Sequence, residues 1–120
     1  MSSLDRARGH QLGRAAEDAA AAFVTAQGMR VLKRNLRGPG GEIDIVALDG
    51  NVVAFIEVKA RNARTFGSAL GAVDARKRRR IAAVAADYLQ IVAPQARARF
   101  DVVTVEADGL RLHRGAFACP

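Results

Sequence analysis

Two short runs of apolar, β-branched residues flank Asp49-Gly50: Gly41-Glu42-Ile43-Asp44-Ile45-Val46-Ala47-Leu48 before it and Val52-Val53-Ala54-Phe55-Ile56-Glu57-Val58-Lys59 after it. An Asp-Gly pair between such runs is a strong hairpin signal, because both residues tolerate the positive φ that a tight turn demands. Runs this apolar predict strands covered on both faces, where an ionisable side chain is costly unless it is paired or bound to a cation. Glu42, Asp44, Glu57 and Lys59 interrupt them all the same.

A two-residue loop at Asp49-Gly50 sets Leu48 opposite Asn51 and Asp44 opposite Phe55. Side chains alternate along a strand, so Glu42 and Asp44 then share a face with Phe55, Glu57 and Lys59. Asp44 is diagonal to Glu57, at roughly 7–8 Å between backbone positions. Two carboxylates converging from neighbouring strands can hold a divalent cation through oxygen ligands. A four-residue loop keeps that parity; an unbulged three-residue loop destroys it.

The remaining chain supplies elements to cover this hairpin. Residues 1–8 are polar and read as a flexible N-terminus, leaving 9–120 as a single domain, a size that buries one core. From about Gln11 to Gln27, Leu12, Ala16, Ala19, Phe23 and Ala26 fall on one helical face, and Gly28 is a natural stop. Glu17 flanks that stripe, either as a solvated carboxylate or as a third acid reaching Asp44 and Glu57 from a helix packed over the strands. Met29 to Arg37 reads as a first strand, and Gly38-Pro39-Gly40-Gly41 as a turn without the lysine and hydroxyl of a nucleotide-binding loop. After the basic segment 61–67, a helix is expected from about Ser68 or Asp74 to Ile91, its inner stripe Val73, Lys77, Ile81, Val84, Tyr88 and Ile91. Arg99 to Glu106 and Leu110 to Arg114 read as strands joined by a turn at Asp108-Gly109. The order helix, three strands, helix, two strands predicts an α/β domain, a mixed central sheet flanked by helices.

The formal net charge is +7, and sixteen of the nineteen basic residues are arginine. Such an excess favours polyanions, nucleic acid ahead of an anionic membrane surface, with a merely solvated basic surface as the alternative. Arg76-Lys77-Arg78-Arg79-Arg80 lies in the first half of the second helix, where cations oppose the helix dipole unless an anion meets them. No apolar stretch approaches the roughly 18–20 residues of a membrane span, so no membrane partner is expected. The N-terminus carries no signal-like segment, and the lone Cys119 cannot form an internal disulfide; the cytoplasm is the expected compartment.

One cysteine and two histidines, His10 and His113, are too few for a structural zinc centre, and neither histidine neighbours an obvious nucleophile. What remains is a set of acids and one lysine in apolar strands of a very basic chain. That set suits phosphodiester hydrolysis. Oxygen-ligated Mg²⁺ or Mn²⁺ binds a scissile phosphate and acidifies bound water, while a lysine offsets the charge that gathers in the transition state.

Gly13 and Glu17, Asn35, Gly41-Glu42-Ile43-Asp44, Phe55-Ile56-Glu57-Val58-Lys59-Ala60-Arg61, Phe66-Gly67, Lys77 and Arg99-Phe100-Asp101 resemble the small bacterial YraN proteins, a family also called UPF0102. The resemblance runs from about Gly9 to Phe117. It implies a restriction-endonuclease-like core of the PD-(D/E)XK superfamily, to which archaeal Holliday-junction resolvases also belong. By that resemblance Asp44 is the motif's aspartate, Glu57 its acidic partner, Lys59 its lysine and Glu17 the first-helix glutamate. Ile43 stands where the motif's name has proline.

The expectation is therefore a Mg²⁺- or Mn²⁺-dependent endonuclease acting on DNA, branched or otherwise structured. Glu17, Asp44 and Glu57 with the Val58 carbonyl would ligate the metal, and Lys59 would be the catalytic lysine. Arg61, Arg64, Lys77, Arg78, Arg79 and Arg80 would meet the nucleic acid, DNA ahead of RNA. The alternatives are a non-catalytic nucleic-acid-binding module and an accessory subunit that cuts only within a repair or recombination complex. A homodimer and DNA-processing protein partners stay open.

Overall fold

The computed structural model describes residues 3–60 and 75–117, with side chains from Gly13 onward. Its elements are α1 (Ser3–Ala26), β1 (Arg30–Gly38), β2 (Gly41–Asp49), β3 (Val52–Ala60), α2 (Ala75–Val92), β4 (Arg97–Glu106) and β5 (Gly109–Phe117). The strands form one sheet in the order β1-β2-β3-β4-β5. All neighbours are antiparallel except β3 and β4, which run parallel and are joined through α2. This is the mixed sheet flanked by helices that the element order predicts, consistent with the restriction-endonuclease-like core that the family resemblance implies.

One helix covers each face. On the α1 side, Ala20 and Val24 pack with Met29, Ile45, Ala47, Ala54, Ile56 and Val103. Alanine at the helix contact lets α1 approach the strands closely, at the cost of little buried area. The α2 side carries the bulk: Ile81, Val84 and Ala85 rest on Ile43, Val46, Val53, Phe55, Phe100 and Phe117. Phe55 and Phe100 lie 5.8 Å apart, Phe100 and Phe117 stack at 5.0 Å, and Tyr88 meets Phe55 edge-on at 6.0 Å. Each such ring pair adds about 0.5–1.5 kcal/mol beyond its buried area, so the sheet is anchored chiefly from this side.

Several sequence expectations shift. Helix α1 starts at Ser3 rather than near Gln11: no proline lies upstream, and a missing apolar stripe argues against packing, not against a helix. Its buried stripe is Ala16, Ala20 and Val24, with Ala19 and Phe23 half-buried and Ala26 exposed. Ile91 is 84% exposed, because the last turn of α2 runs past its part of the sheet. Val73, Arg61, Arg64, Phe66 and Gly67 lie outside the described residues.

The β2–β3 turn is displaced by one residue. Asp49 pairs with Val52, so the loop is Gly50-Asn51 rather than Asp49-Gly50. Gly50 holds φ at 62° in the first loop position, and Asn51 stays at negative φ; this is the turn class that wants glycine first and matches the twist of paired strands. Val46 faces Phe55, so Asp44 does not. Sliding the loop by one residue moves both strands together, and the parity of the faces survives along the paired stretch that ends at Ile45 and Ile56.

Candidate active site

Strand pairing ends at different points on the two sides of β3. Against β2 the ladder stops at Ile45↔Ile56, whereas against β4 it continues to Ala60↔Val105. Beyond Ile56 the strands β2 and β3 therefore fork, and Asp44 and Glu57 are the first residues past the last pair. The fork would orphan backbone donors. Asp44 answers one of them, its Oδ2 accepting the Val58 N–H at 2.8 Å. Across the sheet, β1 is distorted at the same level. Asn35, between the pairs Arg34↔Ile45 and Leu36↔Ile43, has φ of 55°, a value asparagine tolerates better than most residues. Strict alternation along β2 is also lost there: Ile43 and Val46 pack on the α2 side while Ile45 and Ala47 pack on the α1 side.

Four carboxylates converge on this fork. Glu57 is 4% exposed and its Oε1 has no hydrogen-bond partner among the described residues. Burial, and then the neighbouring Asp44 carboxylate, push its pKa up to about 7. Burial also raises Asp44, against the pull of the Val58 N–H and of Lys59. Glu17, on α1, is raised by burial and by Asp44. Glu42 adds to the repulsion felt by all three. The Asn35 amide, oriented to donate, reaches Glu17 Oε1 at 2.8 Å and Glu42 Oε1 at 3.0 Å, tying the outer pair together.

The cations arrive from β3 and α2. Lys59 lies two residues beyond Glu57 and is half-buried; burial and then the adjacent Lys77 amino group bring its pKa down to about 8. Lys77 Nζ stands 3.8 Å from Glu57 Oε2. That places Lys77, which the basic run on α2 would assign to the nucleic-acid surface, at the centre of the site. Of its neighbours, Arg79 and Arg80 are exposed, whereas the Arg78 guanidinium lies 5.4 Å over the Phe117 ring. Arg78 is thus part of the α2–β5 packing.

The donors present are oxygens, which suits a hard divalent cation. Glu57 Oε1 is buried without a hydrogen-bond partner among the described residues and lies beside a second desolvated carboxylate, and the residues fit such an ion in that respect. Among the described residues no three Asp, Glu, His or Cys side chains stand close enough to hold a metal by themselves. Asp44 and Glu57, with backbone carbonyl and water to complete the shell, are the core of the candidate set, and Glu17 is its outlying member. Glu42 stands out in the sequence as an acid in an apolar run and Asn35 through the family resemblance, but neither is assigned a place in the site from the sequence. Their shared contact emerges once the fork draws β1, β2 and α1 together.

Arg99-Phe100-Asp101 has a different task. Fully buried Asp101 accepts from Arg99 Nε and Nη2 at 2.8 and 2.9 Å, and from the Gly115 N–H at 2.9 Å. Arg99 also donates to Asp49 at 2.9 Å. The Gly115 N–H belongs to an irregularity where β5 carries extra residues between Phe117 and His113, and Asp101 satisfies it. This cluster ties β2, β4 and β5 together.

No helix among the described residues is long and apolar enough to cross a membrane. The model of the uncharacterised protein family UPF0102 matches residues 16–105. Among curated proteins, a UPF0102 protein of Symbiobacterium thermophilum is 47% identical over 97 residues, covering 80% of this chain and 82% of its own. A UPF0102 protein of Moorella thermoacetica is 44% identical over 122 residues, 96% of this chain and 99% of its own. One of Pseudomonas paraeruginosa is 45% identical over 108 residues, 88% and 86% respectively.

Proposed function

The chain belongs to the uncharacterised protein family UPF0102, and we propose that it is a metal-dependent endonuclease that hydrolyses phosphodiester bonds in nucleic acid, DNA in preference to RNA. The observation that carries this reading is the Asp44–Glu57 pair at the strand fork, a half-buried and a buried carboxylate with a vacant acceptor at Glu57 Oε1. A pure binding surface gains nothing from buried acids facing phosphate. Mg²⁺ or Mn²⁺ held by Asp44, Glu57, the Val58 carbonyl and Glu17 would supply a polarised phosphate and an acidified water.

The chain's own residues would do the rest. Asp44 is fixed by the Val58 N–H, so its free oxygen has one direction open to it. Lys59 Nζ, on the same strand face as Glu57, brings positive charge to where a phosphorane-like transition state gathers negative charge. Lys77 keeps Lys59 from pairing fully with Glu57, because its own amino group lies against both. A cation placed before the reaction begins costs no reorganisation during it, which is the source of its catalytic value.

A second reading is a non-catalytic nucleic-acid-binding module. It draws on the same contacts: Asp44 already serves as a backbone acceptor and Lys77 already faces Glu57. The test is a cleavage screen over duplex, flap, forked, four-way and single-stranded DNA and RNA with Mg²⁺ or Mn²⁺. Calorimetric titration of either metal accompanies it, wild type against Asp44→Asn. Cleavage with a metal isotherm that Asp44→Asn loses supports the endonuclease. Nucleic-acid binding without cleavage or metal uptake in either protein replaces it with the module.

A further inference from the structure

The β1–β2 turn and the start of α2 enclose a recess of about 260 Å³ that shares a wall with the forked site. Its wall on the strand side is the Gly40-Gly41 backbone with Glu42 beside it. Gly38 and Gly41 pair, leaving Pro39-Gly40 as the loop, with Gly40 at φ 83°. The turn presses on the helix: a Cβ on Gly38 would lie 3.1 Å from Val84 Cγ2, and one on Gly41 would lie 3.5 Å from Arg80 Cβ. Buried Ile81 closes the floor.

Arg76, Lys77 and Arg80 line the other side. Arg76 and Arg80 stand four residues apart on one helix, where like charges face each other and repel. Both are exposed, and neither makes an ion pair with a described residue. The acid in the lining, Glu42, is drawn instead to Asn35 at 3.0 Å and to Arg37 at 3.8 Å. Arg76 and Arg80, with Lys77 shared with Glu57, against one engaged acid leave the recess positive, and Gly40 and Gly41 let a ligand approach the turn backbone closely.

We infer that this recess is a phosphate subsite, taking a backbone phosphodiester that neighbours the bond to be cut. Its place beside the cut rests on the endonuclease reading; the anion site itself does not. Lys77 belongs to both sites, lining the recess while its Nζ lies 3.8 Å from Glu57. The substrate class follows: a polynucleotide strand whose phosphates continue past the scissile bond on the α2 side, rather than a mononucleotide or a strand ending there.

The experiment is a titration of metal-free protein with inorganic phosphate, read by amide chemical shifts. The expected perturbations centre on Gly40, Gly41 and residues 76–81. They vanish in Arg76→Gln/Arg80→Gln and persist in the charge-matched double variant Arg30→Gln/Arg97→Gln, whose arginines are exposed and outside the recess. On duplex oligonucleotide the recess variant should lower the slope of log K against log salt by about 0.9, one phosphate's worth. Perturbations elsewhere, or equal losses in both double variants, overturn the subsite in favour of diffuse attraction. Phosphate binding at the recess in a protein that cuts nothing removes the endonuclease reading and leaves the subsite. Cleavage without phosphate binding at the recess does the reverse.

Discussion

Asp44 Oδ2 accepts the Val58 N–H at 2.8 Å, at the level where β2 and β3 part. The residue therefore has two roles that pull its stability effect in opposite directions. As an acceptor it satisfies a backbone donor that the fork would orphan. As a charge it repels Glu57 and raises that group's pKa.

Two substitutions separate these roles. Asp44→Asn keeps an oxygen for Val58 and removes the charge, so the metal-free protein should melt higher than wild type and lose any response to Mg²⁺. Asp44→Ala removes the acceptor too and should be less stable than Asp44→Asn by about 1–3 kcal/mol, the cost of an unmet buried donor. Thermal melts of the three proteins with and without Mg²⁺ decide it. Equal stability of the two variants would mean that water replaces the carboxylate at Val58.

Stability should also fall as pH rises from about 4.5 to about 7. Over that window the folded protein keeps on Glu57 a proton that the unfolded chain has already released, since its pKa goes from 4.5 to about 7 on folding. The destabilisation is absent below the lower value and complete above the upper, and a shift of that size corresponds to about 3 kcal/mol. Raised Asp44 and Glu17 act in the same sense. Urea unfolding at pH 5 and pH 8 should show the loss in wild type and a much flatter profile in Glu57→Gln. Wild type gaining stability across that interval would contradict a Glu57 whose burial outweighs its pairing with Lys77.

Much of this arrangement could be read from the chain, for identifiable reasons. The apolar runs on either side of Asp49-Gly50 specify a hairpin, and burial specifies which residues share a face. They do not specify the loop. Turns at Asp49-Gly50 and at Gly50-Asn51 place the same side chains on the core faces, so hydrophobic patterning cannot choose between them. The choice matters, because the second brings Asp44 and Glu57 to the same level rather than to a diagonal. Lys77 was legible as an oddity on an apolar stripe, but its partner is Glu57, on a strand that sequence alone does not bring to α2. Asn35 and Glu42 stand out singly in the sequence, but that they meet was less legible still, since the contact exists only where β1 bends and the sheet forks.

Asp101 should matter for folding and not for chemistry. It is fully buried and pairs with Arg99 while accepting the Gly115 N–H. Removing Asp101 leaves Arg99 with Asp49 as its remaining carboxylate and orphans the Gly115 N–H, an unmet buried donor that costs about 1–3 kcal/mol by itself. Asp101→Ala should therefore lower the urea midpoint steeply, while its folded fraction binds duplex DNA as wild type does. A variant of normal stability with impaired binding would move the Arg99–Asp101 cluster into the functional surface.

Lys59 carries the sharpest expectation. One phosphate contact among many adds little to the affinity of the ground state, but a cation beside the attacked phosphorus gains most as charge develops. Lys59→Ala should accordingly leave binding of nucleic acid and of metal nearly unchanged and lower the cleavage rate by about two to three orders of magnitude, as loss of one electrostatic catalytic group does. Lys77 complicates the outcome in a useful way, because it lies against Lys59 and within 3.8 Å of Glu57. If Lys77 can take over, Lys59→Ala should lose little and Lys59→Ala/Lys77→Ala should lose far more than Lys77→Ala alone. If Lys59 acts through its own Nζ, the single variant already shows the full loss. Single-turnover cleavage at saturating enzyme, with melting curves beside it, keeps weakened binding or unfolding from passing as lost chemistry. Wild-type rates in both Lys59→Ala and the double variant would remove both lysines from the reaction.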